Sequence, residues 1–296
     1  MNMKAEIKSF AVIGGDLRQV HLAGLLAADG YNVFATGFDR DVEVSKDVIR
    51  LRSAEEAVHK SNYVVLPLPY SMDGTTVNAP FARAPIPYEE IIGAAFPDMI
   101  ITGGRFSEAA FDQAEKEGIR LVDYYKREEL AILNTIPTAE GAIQIAMEEL
   151  PITIHGAKCL VTGFGHVAKM LCYDLKALGA EVAACARKCA DLAWIKAFGY
   201  TPIGINSIAD AIGTYDVVFN TVPAVLLTET VLSKLNKDCL VIDLASKPGG
   251  VDFETAGRKG IKTVWALSLP GKVAPITSGA IIRDTVLNII AEEESK

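Results

Sequence analysis

Several common functional devices are missing from this 296-residue sequence. There are five cysteines, none in zinc-type spacing. The nearest pair, Cys185 and Cys189, forms a C-x-x-x-C with no second half. That pattern excludes a disulfide framework and argues against a thiolate metal centre, leaving free thiols in a reducing compartment. No G-x-S-x-G element marks a serine hydrolase. No apolar run approaches the ~18 residues of a membrane span. Lys and Arg (29) are outnumbered by Asp and Glu (37), for a net charge of −8. That balance argues against charge-driven binding to nucleic acid or an anionic membrane. The opening MNMKAEIKSFAVIGG has no signal-peptide pattern, so the expected location is cytoplasmic.

Half of the residues are apolar and 22% are charged, the balance of a globular protein. Short apolar or β-branched runs alternate with helical patterns along nearly the whole chain. The fold class expected is α/β, with two doubly wound parallel-sheet domains, the second a Rossmann NAD(P)-binding domain. In the first half, strands are expected near 9–14, 31–35, 63–68, 98–102 and 119–122. In the second they are expected near 159–162, 181–185, 216–220, 239–244 and 263–266. The expected division is an N-terminal substrate domain over 1–136, a linker helix over 137–151 and a Rossmann domain over 152–276. A C-terminal helix over 277–296 is free to pack back on the N-terminal domain. A helix joining two α/β domains suits a hinge, with ligand held in the cleft.

The most specific local signal is Gly163-Phe164-Gly165-His166-Val167-Ala168, a G-x-G-x-x-A after an apolar strand and at the start of a helix. Gly163 allows the tight turn, Gly165 lets backbone approach a pyrophosphate, and Ala168 keeps helix and sheet close. The helix N-terminus then offers N–H groups to phosphate. An NAD site usually has a carboxylate at the end of the next strand. This chain has Cys185-Ala186-Arg187-Lys188 instead. Arg187 and Lys188 can pair with a 2′-phosphate that a carboxylate would repel, so NADP is expected over NAD. Asn220-Thr221-Val222-Pro223 and Asp243-Leu244-Ala245-Ser246 follow later strands, at the sheet edge where such folds bind ligand. Thr221, Val222, Pro223, Ala245 and Ser246 are therefore expected along the cofactor.

The first half carries two further glycine turns, Gly14-Gly15-Asp16-Leu17-Arg18 and Thr102-Gly103-Gly104-Arg105-Phe106-Ser107. Neither has dinucleotide spacing. Each puts an arginine at a helix start, which suits a substrate with two carboxylates. Arg18, Gly104 and Arg105 are the expected anion ligands. The long loop Leu68–Pro80 adds Ser71, Thr75 and Asn78 as neighbours. Near the C-terminus, Lys272 sits in a proline-bounded connection and is expected within reach of a carboxylate.

Histidine occurs only at 21, 59, 155 and 166. The late catalytic histidine of D-2-hydroxy-acid dehydrogenases is therefore absent, and no residue stands out for taking a hydroxyl proton. Asp16, His21, Asp73 and Lys272 are the candidate acid–base residues, and no metal is expected.

Taken together, GGDLRQ, LPYSMDGTTVNAP, TGGRF, NTIPTAEGAIQIA, TGFGHVA with CARK, NTVPA, DLASKPGG and LPGKVAPITSGAII make essentially the whole chain resemble the dipicolinate synthase A-subunit family. The layout is more distantly similar to alanine dehydrogenases. The resemblance implies an NADP-dependent oxidoreductase acting late in dipicolinate formation, on dihydrodipicolinate or its hydroxylated tetrahydro form. It also implies a flavoprotein-like partner, the dipicolinate synthase B-subunit, and synthesis in the mother cell of a sporulating bacterium. Removing hydride from a dihydropyridine carbon needs no hydroxyl-activating histidine, and aromatisation supplies driving force. Two other readings stay open: an NADP-binding scaffold completed by its partner's flavin, and a dehydrogenase of another small imino or amino acid.

Overall fold

A computed structural model describes residues 7–295. The chain divides into two compact units, Met1–Leu133 with Ala274–Lys296, and Asn134–Val273.

The first unit holds β1 (Ser9–Ile13), β2 (Asn32–Thr36), β3 (Ile49–Arg50), β4 (Tyr63–Val65), β5 (Ile100–Gly103) and β6 (Arg120–Asp123). They form one parallel sheet in the order β3-β2-β1-β4-β5-β6. The second unit holds β7 (Lys158–Thr162), β8 (Glu181–Ala186), β9 (Thr201–Gly204), β10 (Val217–Asn220), β11 (Leu240–Asp243) and β12 (Thr263–Trp265). Their order, β12-β11-β10-β7-β8-β9, is the same topology. Both units are thus doubly wound Rossmann folds.

The strand sequences explain this. Both faces of each central strand are covered, so apolar residues need not alternate with polar ones. Phe10 and Val12 of β1 pack into one core, while Ala11 and Ile13 pack into the core on the opposite face. In β7, Cys159 and Val161 face one core and Leu160 the other. Burial pushes the thiols of Cys159, Cys172 and Cys239 up to about 12 and that of Cys185 to about 11, so all four are inert apolar side chains.

Strands β3 and β9 are the ones the sequence pattern did not reveal. Both are sheet edges. The first is two exposed residues, and the second contains Pro202 and Gly204, tolerated at an edge where a ladder hydrogen bond is not required.

The segment expected as a separate linker is the helix Thr135–Glu149, which belongs to the second unit. Its Ala139, Ala142, Ile143 and Ala146 share a core with β7. A Cβ on Gly141 would lie 3.1 Å from Val273 Cγ2 and 3.2 Å from Leu269 Cβ. That close approach seats Leu269–Val273, which is a short helix and not the expected irregular connection. The last helix, Pro275–Glu294, starts earlier than expected, with Pro at the first helical turn. Its Ile281, Ile282, Val286, Ile289 and Ile290 enter the same core as Val20, Leu22 and Leu26 of the helix Leu17–Ala28. Each such burial contributes roughly 1.5–3 kcal/mol.

Candidate active site

In an open α/β sheet the ligand crevice lies at the carboxyl ends of the strands where the order reverses. In the second unit those strands are β7 and β10. After β7 the chain turns at Gly163 (φ 88°). A Cβ there would lie 2.6 Å from Thr221 Oγ1 and 3.1 Å from Val222 Cγ2. Only glycine lets the turn press this closely against the loop after β10. Around Gly165 the space is open, with nothing within 4 Å of a Cβ. Gly165 is the N-cap of the helix His166–Ala177 and supplies no side-chain cap. Ala168 is fully buried against the sheet. This is a cradle shaped for a phosphate group. Gly165 and His166 are exposed and Val167 is half-buried. Phe164 differs: its ring is buried in the core, so only its backbone faces the cradle. At the end of β8, Arg187 and Lys188 are exposed and make no salt bridge among the described residues.

A buried polar network supports the loops beyond. The Thr162 hydroxyl donates to Asn220 Oδ1 (2.6 Å). Asn220 Nδ2 donates to Asp243 Oδ1 (2.7 Å) and to Val222 O (3.0 Å). The Asp243 carboxylate also accepts from Ala245 N–H (3.0 Å) and Gly250 N–H (2.8 Å). Thr162, Asn220 and Asp243 are all fully buried. The network therefore fixes the loop of Thr221, Val222 and Pro223 and the loop of Ala245 and Ser246. Sequence reasoning named the loops and missed the residues that hold them. The signal was present, since VVFN and LVID each end an apolar strand on a polar residue.

The equivalent crevice of the first unit, at β1 and β4, is closed by its own chain. Gly15 N–H donates to Asn78 O (2.8 Å), and a Cβ on Gly14 would lie 2.8 Å from Val77 Cγ1. Asp16 caps the helix Leu17–Ala28 by accepting from Arg18 N–H (3.0 Å). Its carboxylate also takes Arg18 Nε (2.9 and 3.1 Å) and Nη2 (2.8 Å), and Nη2 reaches Leu68 O (2.8 Å). Arg18 is 8% exposed, with its charge already paired. The segment after β4 gathers the expected substrate residues. Gly104 N–H donates to Pro67 O (3.0 Å) and Tyr70 N–H to Gly104 O (2.8 Å). Asn78 Nδ2 donates to Pro69 O (3.3 Å).

This geometry corrects several expected roles. Asp16 is a helix cap and the internal counter-ion of Arg18, not a free base. Gly104 is buried, with both backbone polar groups used inside the chain, so it shapes the loop instead of touching ligand. Asp73 accepts from Thr76 N–H, Thr75 N–H and the Thr76 hydroxyl, all at 2.8 Å, and from the Ser71 hydroxyl at 3.0 Å. Those bonds, led by that from Thr76 N–H, hold its carboxyl far below the ordinary value, which makes it a poor proton acceptor. It organises the loop carrying Ser71 and Thr75. His21 lies where the helices Leu17–Ala28 and Pro275–Glu294 cross, its Cβ 3.1 Å from a Cβ placed on Gly279. Lys272 is exposed on the helix Leu269–Val273 of the second unit. Arg105 is exposed just after β5, and its backbone is left-handed at φ 62°.

Two Rossmann units, one with an open cradle, define a nicotinamide-dinucleotide-binding protein of the oxidoreductase type. The profile of the N-terminal domain of the dipicolinate synthase A-subunit matches residues 9–125. The dipicolinate synthase A-subunit of Bacillus subtilis (strain 168) is 31% identical over 287 residues, 97% of each chain. The chain belongs to the dipicolinate synthase A-subunit family. The crystal structure of the A-subunit from Bacillus halodurans superimposes with a TM-score of 0.86 at 34% identity, covering 96% of this chain and 98% of that one. An L-alanine dehydrogenase shares the fold at a TM-score of 0.65 and 13% identity, covering 96% of this chain and 90% of its own. No helix among the described residues is long and apolar enough to cross a membrane.

Proposed function

We propose that the chain is the NADP-dependent oxidoreductase component that forms dipicolinate, pyridine-2,6-dicarboxylate, during sporulation in the mother-cell cytoplasm, with the synthase's B-subunit for its partner. The substrate is dihydrodipicolinate, or the hydroxylated tetrahydro form after loss of water. One ring C–H bond breaks with its electron pair leaving as hydride, a second ring proton is lost, and the ring becomes aromatic. NADP, when bound, supplies the hydride acceptor.

The observation that carries this reading is the contrast between the two glycine turns. The second unit's turn is open and uncapped; the first unit's is filled by Asn78 and Asp16. One unit therefore suits a dinucleotide and the other a smaller ligand. Gly163, Gly165 and the first N–H groups of the helix His166–Ala177 hold the pyrophosphate. Thr221, Val222, Pro223, Ala245 and Ser246 line the remainder, kept in place by Asn220 and Asp243. Arg187 and Lys188 take the 2′-phosphate. In the first unit Arg105 binds a ring carboxylate. Arg18, with Nε and Nη2 engaged, offers Nη1 to the second. Ser71, Thr75 and Asn78 are neighbours of that ligand. No side chain has to ionise an alcohol, which fits the engagement of Asp16 and Asp73 in bonds within the chain.

Replacing Arg187 by alanine is expected to weaken NADPH binding roughly 10–100-fold, the worth of about 1.4–2.7 kcal/mol of charge-assisted hydrogen bonding. NADH binding should stay within about twofold by the same account. Fluorescence titration of both cofactors reads this directly, and equal weakening of the two contradicts the 2′-phosphate role. A second reading draws on the engagement of Asp16 and Asp73: with neither carboxylate free as a base, the chain would be an NADP-binding scaffold whose chemistry a flavin-bearing partner completes.

A further inference from the structure

The Arg105 loop is held by a side chain that sequence reasoning did not single out. Arg105 is not glycine, yet it sits at φ 62°, a conformation that costs an L-residue and persists only where its surroundings enforce it. The enforcing group is Asp123, the last residue of β6, which is 6% exposed. Its Oδ1 accepts from Arg105 N–H (3.0 Å) and its Oδ2 from Phe106 N–H (3.2 Å). The same Oδ1 accepts from Tyr125 N–H (2.9 Å), capping the short helical turn Tyr124–Lys126. The Tyr125 ring then lies under the guanidinium, with Arg105 Cζ 5.9 Å from the ring centroid. Arg105 makes no salt bridge among the described residues, and both Arg105 and Tyr125 are exposed. One buried carboxylate therefore sets the backbone of the cation and the ring beneath it.

We propose that Asp123 is a positioning residue that, with Tyr125 as platform, pre-orients Arg105 to bind a planar carboxylate of the substrate. Asp123 does not touch the ligand. It fixes the guanidinium before binding, so the ligand need not order it. Tyr125 stacks on the guanidinium by the cation–π attraction and leaves its planar edge free for a bidentate contact. This rests on the reading of Arg105 as a carboxylate ligand in the proposed function.

The test is calorimetric titration of dipicolinate into the full chain and into five variants, with thermal melting run alongside. Arg105→Ala is expected to weaken dipicolinate at least 30-fold, and Asp123→Asn about 10-fold. The double variant should bind no worse than Arg105→Ala alone, because Asp123 acts only through Arg105. Arg105→Lys in the wild-type background should recover part of the affinity, and on Asp123→Asn none. Unchanged affinity in Arg105→Ala overturns the carboxylate assignment itself. A weakened Arg105→Ala beside an unchanged Asp123→Asn overturns the positioning role alone. Additive losses in the double variant, or loss in Asp123→Asn that tracks a collapsed melting transition, also overturn it by making Asp123 merely structural.

Discussion

Gly163→Ala is expected to lower NADPH affinity by about two orders of magnitude. The left-handed φ costs an L-residue roughly 1–2 kcal/mol, but the larger effect is steric. The new Cβ would lie 2.6 Å from Thr221 Oγ1, whose hydroxyl donates to Thr162 O (2.7 Å). Either that hydrogen bond breaks or the Gly163–Gly165 turn moves off its phosphate. Losing two charge-assisted contacts at roughly 1.5 kcal/mol each gives ~100-fold. Gly156→Ala is the control. Gly156 also has positive φ (80°) but meets nothing within 4 Å, so the variant should lose stability while NADPH affinity is unchanged. A fluorescence titration in which Gly163→Ala binds like wild type would contradict the cradle.

Asp243→Ala is expected to destabilise the second unit by about 3–6 kcal/mol, because it strands three buried donors at roughly 1–2 kcal/mol each. These are Asn220 Nδ2, Ala245 N–H and Gly250 N–H. For a unit of this size the melting temperature should fall by about 10 °C. Asp243→Asn keeps one acceptor and should cost about half as much by the same principle. Because the network also holds the loops of Thr221–Pro223 and Ala245–Ser246, both variants should bind NADPH more weakly. A melting curve unchanged by Asp243→Ala would show that the buried network does not hold the unit together.

The residues that were legible in the sequence share a property: their role follows from local backbone chemistry. The G-x-G-x-x-A turn, the apolar strands and the cations after β8 are short-range patterns, and the first two appear in the fold where the spacing puts them. The edge strands β3 and β9 were hidden because an edge needs neither length nor two apolar faces. The misread roles share the opposite property. Asp16 and Asp73 look like free charges in sequence. Only folding shows that Asp16 fills the Arg18 fork and that the Thr75 and Thr76 amides fill Asp73. Asp123, Asn220 and Asp243 read as ordinary strand ends, and each joins its own loop to a partner 17 to 58 positions away. Both units place a buried polar side chain at a strand's carboxyl end to shape the next loop, and that device leaves only a faint mark in sequence.

The central claim is that this chain alone carries both the NADP cradle and the site for a small dicarboxylate. It is tested by following NADPH absorbance with purified chain, NADP⁺ and the freshly made condensation product of pyruvate and aspartate semialdehyde, then repeating with the synthase's B-subunit present. The account predicts that NADPH appears with the chain alone and matches dipicolinate one for one. NADPH that appears only in the presence of the partner, or dipicolinate that forms without NADPH, would contradict it and shift the chemistry to the partner.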